Sequence, residues 1–538
     1  MNNSMKFTSG SVLKIAAVSW IICFAVYFRA LFCGFVNYDD SEYVLHNILI
    51  RDLNLDFLKF VFTSSYAGSW MPLTWISFAI DYRLWEMNAF GYHLTNILLH
   101  STNTFVVVLI ADKVLGKKYC DIQNIQPYLA MLLLSGLFFG IHPLRVESVV
   151  WISERKDVLN GLFALGSVLF YLMYAQAKDI EGKSRLAANY SISLMLFALS
   201  LMAKSITVVM PALLIIIDWF PLKRLRKTTI LTIIYEKIPF LLLSLAVSVL
   251  TIYYAQTDGM FLTLNEISFY KRLLISGNSV FEYLRLIIFP VGIQPFYIIN
   301  PVLPASYAIK AVVVVAVCCS SLYFIKSRPW IPALWFLFLT PLLPVLAFFQ
   351  NGGEEAMAAR FTYLPAVPIS VIAAFGFFQV YRYQNKLRVL LCVTILFLLL
   401  FYATVTYRDT IVWDNTGTLW TRLLEVQEIG RAYVQRGMYY YSIGHYDEAI
   451  QDLSRAIEIA KREKVPVLHN LYAFRGDSYR AMKSYDKALE DLTSAIEITP
   501  NPSCNYLRGL TLKSMGRQHE AEKDFELAGE HPIPLDWY

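Results

Sequence analysis

Charge is what this chain most lacks. Of its 538 residues, 16% are Asp, Glu, Lys or Arg, against about 25% in soluble domains, and the mean hydropathy is +0.47. That scarcity argues against a soluble protein over most of the length and for an integral membrane protein. Metal-type cysteine spacing is also missing. The seven Cys residues follow no ligand pattern; Cys318 and Cys319 adjoin in an apolar run, and Cys23, Cys33 and Cys392 lie in or near helices, so they read as inert buried thiols. The net charge of +6 is spread over short loops, without a basic patch, which argues against a nucleic-acid partner. The first apolar run carries no small-residue cleavage site, so it reads as a span and not as a removed signal. Mid-span charges are few and no paired broken helices stand out, which disfavours a transporter.

What is present is a succession of apolar runs. A span needs about 20 apolar residues, and the sequence offers eleven: near 11–32, 91–111, 126–142, 157–177, 188–203, 205–221, 230–254, 306–325, 330–349, 360–380 and 387–407. The third and fifth are short. Basic residues mark one side: Lys6 and Lys14; Lys113, Lys117 and Lys118; Lys178, Lys183 and Arg185; Lys223, Arg224, Arg226 and Lys227; Lys326 and Arg328; Arg382, Lys386 and Arg388. With eleven spans all these groups face the cytoplasm, the N-terminus is inside and the C-terminus outside. The count requires Phe281–Phe296, broken by Pro290 and charged at Glu282 and Arg285, to be an interfacial or re-entrant helix. Two long outer segments follow, 33–90 and 255–305. The first holds an amphipathic stretch, Asp52–Phe62, suited to the interface plane.

From about residue 430 the chain turns charged and repetitive. Tyr433, Arg436 and Gly437 recur as Tyr472, Arg475 and Gly476, then as Tyr506, Arg508 and Gly509. The second halves, Tyr446 to Ile457 and Tyr485 to Ile496, match as well, and a third, weaker half runs through Ala521 and Ala528. A period near 34 with small residues at helix crossings is the tetratricopeptide signature. The wider first spacing fits an insertion around Lys461–Val467, and Pro500 closes the second repeat. Such repeats offer a concave surface to a polypeptide partner. The expected organisation is all-α: a polytopic membrane bundle over 1–407, a connector over 408–430 with Trp413, Asp414 and Trp420 at the membrane surface, and a repeat solenoid over 431–538.

Asp39 and Asp40 follow the first span directly. Adjacent carboxylates beside a bilayer are costly to desolvate and so point to chemistry there. Other outer charges run against the inside-positive bias: His142, Arg145, Glu147, Glu154, Arg155, Lys156 and Asp157 between spans three and four; Lys204 between spans five and six; Arg285; and Arg360, after Glu354 and Glu355. Together they suit an outer pocket in which Arg and Lys hold a lipid-linked phosphate. One carboxylate would act as general base toward an acceptor hydroxyl. The other would orient the acceptor or bind a divalent cation; no cofactor is required. The bland alternative is mutual salt bridging, which weighs most on Glu147, Arg155 and Asp157. His93, Asn96 and His100 form a polar stripe on span two, read as helix–helix hydrogen bonding rather than metal ligation.

These residues resemble the GT-C-fold membrane glycosyltransferases, and most nearly the transmembrane and tetratricopeptide-repeat-containing O-mannosyltransferases and their prokaryotic relatives. The resemblance rests on Asp39-Asp40, His142-Pro143 with Glu147, Arg155 and Asp157, Lys204-Ser205-Ile206-Thr207 before Pro211 and Asp218-Trp219, Arg360-Phe361-Thr362-Tyr363-Leu364-Pro365, and Gly91 to His100. It implies transfer of a sugar, mannose in the family, from a polyprenyl or dolichyl phosphate to a protein acceptor on the outer or lumenal face. The membrane would be the plasma membrane in a prokaryote or the endoplasmic reticulum in a eukaryote, with the repeats on the outer side. By position, Asp39 or Asp40 would be catalytic, and Arg360, Lys204, Arg155, Glu147, His142 and Tyr363 would line the substrate site. Two departures stand out: Ser205 replaces a Glu frequent in the family, and the repeat tail is short. A lipid or glycan acceptor, or a non-catalytic scaffold acting through the repeats, are the alternative readings.

Overall fold

The computed structural model describes residues 3–121, 125–177, 183–226, 228–257, 267–299, 302–348 and 355–529. Lys178, Lys227 and Glu354 lie outside the described residues. The chain divides into two compact units, Met1–Gly34 with Asp39–Ile411, and Phe35–Tyr38 with Val412–Tyr538.

The first unit is helical apart from a two-stranded antiparallel pair, Tyr297–Ile298 with Glu355–Met357. Every one of the eleven apolar stretches falls on a helix. Eight are long and apolar enough to cross a membrane: Gly10–Phe32, Ala89–Gly116, Ile152–Ala177, Ser184–Ala203, Ile230–Thr257, Ala305–Tyr323, Ala366–Tyr383 and Asn385–Val412. Gln126–Gly140 and Pro143–Val150 form one pair bent by 50°, and Ser205–Trp219 and Trp330–Val345 are shorter apolar helices. The protein is therefore an integral membrane protein. The segment Phe281–Phe296 holds the end of a helix, Phe269–Ile288, and the irregular stretch 289–296 that leads into the first strand, Tyr297–Ile298.

The bend has a local cause. The residue before a proline is pushed out of the helical region, and His142, before Pro143, is extended with ψ 133°. The helix Gln126–Gly140 stops there, and the chain re-enters the protein as short turns, Pro143–Arg145, Val146–Val150 and Ile152–Glu154. This segment, read from sequence as an outer loop, is buried throughout. A second shift concerns Arg360. It lies in the turn Ala359–Thr362 and not inside a span, because Pro365 stands at the N-terminus of the next helix, Ala366–Tyr383.

Small residues let three helices close together around the bend. A Cβ on Gly140 would stand 2.5 Å from Thr104 Oγ1, and one on Gly136 would stand 2.7 Å from Val108 Cγ2. Close backbone approach at small residues is what lipid-embedded helices use in place of a hydrophobic driving force. Val108, Tyr128, Leu132, Phe138, Phe378 and Tyr402 fill the space between them. The cysteines are less uniformly buried than the sequence suggests: Cys23, Cys33 and Cys504 are buried, but Cys319 and Cys392 are exposed on helix faces.

The second unit is a stack of helix pairs: Gly430–Ser442 with Tyr446–Glu463, His469–Ala481 with Tyr485–Ile498, and Pro502–Ser514 with Gln518–Ala528. The insertion appears as an 18-residue second helix ending in a left-handed Lys464. In each pair one arginine grips an aspartate bidentately: Arg436 on Asp452, Arg475 on Asp491, Arg508 on Asp524, with all six contacts between 2.7 and 2.8 Å. The same arginines reach a hydroxyl of the preceding helix, namely Thr421, Ser454 and Thr493. Thr421 lies on a helix, Thr416–Leu424, started by an Asn415/Thr418 capping box. The presumed connector thus supplies the first layer of the stack. Trp413 and Trp420 are buried in this unit, Trp420 edge-on against Tyr38. Asn37 belongs here too, its N–H donating to Thr416 Oγ1 at 2.8 Å and its Nδ2 to Gln435 Oε1 at 2.6 Å.

Candidate functional site

The re-entering segment brings most of the expected charges together. Glu154, 1% exposed, is the hub: Lys156 lies 3.1 Å and Arg360 3.4 Å from its Oε1, and Lys204 lies 3.3 Å from its Oε2. Lys204 also holds Asp157 at 2.6 Å. Arg360 is shared among three carboxylates. It pairs with Glu147 through Nη1, its N–H donates to Glu147 Oε2 at 3.1 Å, and its Nη2 meets Glu355 at 2.6 Å. The short strand pair delivers Glu355 to this position. Aromatic faces wall the cations: Lys156 lies 4.6 Å from the Tyr43 ring centroid and 5.6 Å from that of Trp151, and Arg360 lies 5.0 Å from that of Phe361.

The acidic pair splits. Asp39 keeps 35% of its side chain exposed and places Oδ2 3.5 Å from Lys156 Nζ. Asp40 is buried, and its Oδ1 accepts from Ser153 N–H at 2.9 Å and Ser153 Oγ–H at 2.5 Å. A buried carboxylate needs such donors. The two neighbours therefore occupy different surroundings, one reachable and one anchored. Their oxygens accept from Lys156 and from Ser153. Among the described residues no three of His, Cys, Asp or Glu are grouped to hold a metal ion.

Three expected residues lie apart from this network. Arg155 is fully buried against Asp81 at 2.6 Å, Tyr92 O at 2.9 Å and the Asn96 side chain. His142 sits against Ile287 O, 3.0 Å from Nε2, and packs edge-on against Tyr402. Tyr363 accepts from Asn103 at 2.8 Å and lies 2.7 Å from His100 Nδ1. The span-two stripe makes helix–helix contacts of the expected kind at two members: Asn96 Nδ2 donates to Trp151 O, and His100 Nε2 lies 2.8 Å from Gly140 O.

Lys156 is the residue the sequence reading quoted without giving it a task. Its signal was present: at 100° per residue, Arg155, Lys156 and Asp157 at a helix start must face different partners. Burial pushes the Tyr43 phenol up to about 12, with Lys156 pulling it back, so it stays protonated at neutral pH. Burial likewise raises the Glu355 carboxyl, against the opposing pull of Arg360. Glu42 is raised by partial burial and then by the nearby Asp39.

Chemically, the site offers one reachable carboxylate beside three cations. An ammonium has three donors, and Lys204 directs two of them to Glu154 and Asp157. Among the described residues its hydrogen bonds go to these two carboxylates.

Comparison with known proteins identifies tetratricopeptide repeats at residues 430–463 and 469–502. The chain is similar to "Protein O-mannosyl-transferase TMTC4" of Homo sapiens, 25% identical over 443 residues, covering 70% of this chain and 56% of the relative. It is 30% identical over 246 residues to "Protein O-mannosyl-transferase TMTC2" of Mus musculus, 44% of this chain and 27% of the relative. It is 29% identical over 158 residues to "Protein O-mannosyl-transferase TMTC3" of Homo sapiens, 27% of this chain and 16% of the relative. The matched stretches thus span less than two thirds of these relatives' own lengths. No solved structure matches.

Proposed function

We propose that this protein is a membrane glycosyltransferase that moves a sugar, mannose by the names of its relatives, from a polyprenyl or dolichyl phosphate to a hydroxyl of a protein acceptor on the outer or lumenal face. The observation that carries the reading is the partly exposed Asp39 carboxylate held by Lys156 at the edge of a three-cation cluster. Asp39 takes the proton of the acceptor hydroxyl. The acceptor oxygen attacks the anomeric carbon from the face opposite the phosphate, and the bond between that carbon and the phosphate oxygen breaks, leaving its electron pair on the carrier phosphate. Configuration inverts. Lys204 and Arg360 receive the phosphate charge. Asp40 positions the loop and does not meet substrate. No metal is required, because the leaving group departs as an anion onto fixed cations. The repeats would present the acceptor polypeptide.

The test is to incubate the purified full chain with labelled polyprenyl-phosphate mannose and a mixture of protein acceptors, beside Asp39→Asn. Label in protein that disappears in the variant supports the reading. Label that persists in a folded Asp39→Asn variant removes Asp39 as the base. Label found in glycolipid and absent from protein moves the acceptor to the lipid or glycan class. No transfer from any of a panel of lipid-linked sugars would leave the repeats as the working part and the protein as a scaffold.

A further inference from the structure

A second feature of the membrane unit lies among residues that the ion network does not use. A cavity of about 460 Å³ opens where Gln126–Gly140 begins, Ala366–Tyr383 ends and Asn385–Val412 starts. That size falls within the range of about 300–1,000 Å³ typical of ligand pockets. Its walls are apolar, with Met131, Leu134, Phe378 and Ile395 contributed by three different helices. Its other lining includes two arginines, Arg382 and Arg388. Arg388 is fixed in place: its Nε donates to Tyr381 O at 2.8 Å, and its guanidinium lies 4.9 Å from the Tyr381 ring centroid. Among the described residues neither arginine forms an ion pair, although one carboxylate, Asp121, also lines the cavity.

We propose that this cavity binds an anionic phospholipid, with the headgroup phosphate between Arg382 and Arg388 and an acyl chain in the apolar slot. Guanidinium groups match phosphate oxygens in pairs, and basic pockets between spans are where anionic headgroups bind. A free phosphate would leave the apolar wall unused, and a zwitterionic lipid would leave one excess positive charge uncompensated. The lining shares no residue with the Glu154 network, so the site stands independently of the transfer chemistry.

The experiment is native mass spectrometry of the full chain released from nanodiscs containing phosphatidylcholine and phosphatidylglycerol in equal amounts. The wild type should retain phosphatidylglycerol preferentially. Each arginine removed should lower that preference about fivefold; Arg382→Gln, at an exposed position, does so without threatening the fold, and Arg382→Gln/Arg388→Gln extends it. Cys392→Trp, which fills the slot, should reduce lipid retention with both arginines intact. Equal retention of the two lipids by the wild type, or an unchanged preference in Arg382→Gln/Arg388→Gln, would overturn the proposal. So would displacement of the lipid by inorganic phosphate alone with no effect of Cys392→Trp, an outcome that assigns a phosphate site without a lipid.

Discussion

Lys156 Nζ stands 3.5 Å from Asp39 Oδ2 and 3.1 Å from Glu154 Oε1, so a single ammonium joins the reachable carboxylate to the buried hub. Replacing it with Met should lower transfer by about 10-fold or more, but by less than loss of the base itself, whose usual contribution is about 10²–10⁴-fold. Glu154 would keep Lys204 and Arg360, so the fold should survive. Turnover measured beside thermal unfolding checks this. Wild-type turnover in a folded Lys156→Met protein would show that Asp39 does not depend on Lys156.

Ser153 and Asp39 should separate stability from chemistry. Ser153→Ala deprives the buried Asp40 of its shortest hydrogen bond and should cost about 1–3 kcal/mol, read as a lower unfolding temperature. Asp39→Asn should leave that temperature nearly unchanged and remove transfer. The reverse pattern would exchange the roles of the two aspartates.

Arg155 is expected to act through the fold. Asp81→Asn leaves its guanidinium with backbone and amide partners but no counter-charge, and a broken buried pair costs about 3–5 kcal/mol. The variant should unfold earlier in detergent while any properly folded fraction keeps its KM for the lipid donor. A changed KM at unchanged stability would return Arg155 to the substrate site.

Glu355 carries a pH signature. Its folded pKa lies above the unfolded value, which is about 4.3, because burial penalises the charged form. Its contribution to stability is therefore full below the unfolded value and is lost as pH rises through the folded one. Denaturation midpoints of Glu355→Gln should fall less between acid and neutral pH than those of the wild type. Parallel curves would mean that Arg360 fully compensates the burial.

The sequence carried the architecture because hydropathy length and repeat period are local properties. Eleven apolar stretches and the Tyr–Arg–Gly recurrence needed no tertiary information. The site was legible in part. Glu147, Asp157, Lys204 and Arg360 stood out as charges flanking apolar helices, and they do meet around Glu154. What sequence alone did not convey was direction. Arg155 and Lys156 are neighbours in the chain but turn to Asp81 and to Asp39, because consecutive helical residues point apart. Asp39 and Asp40 differ for the same kind of reason, since only the folded segment brings Ser153 to one of them. Asp81 and Ser153 gave no pattern: the partner of each lies 74 or 113 positions away. Trp413 and Trp420 looked like interfacial anchors, and both are buried, Trp420 on the helix Thr416–Leu424.

Asn37 gives the repeat unit an unusual order of manufacture. Its hydrogen-bond partners, Thr416 and Gln435, lie 379 and 398 positions later in the chain. A ribosome therefore completes every apolar stretch before the residues that cap this short peptide exist. Until then these two hydrogen bonds of Asn37 cannot form. The residues that receive these hydrogen bonds are made after the spans, so a chain stopped before Thr416 would carry the spans without either bond. The making of the first repeat helix, Gly430–Ser442, is in this sense recorded at Asn37.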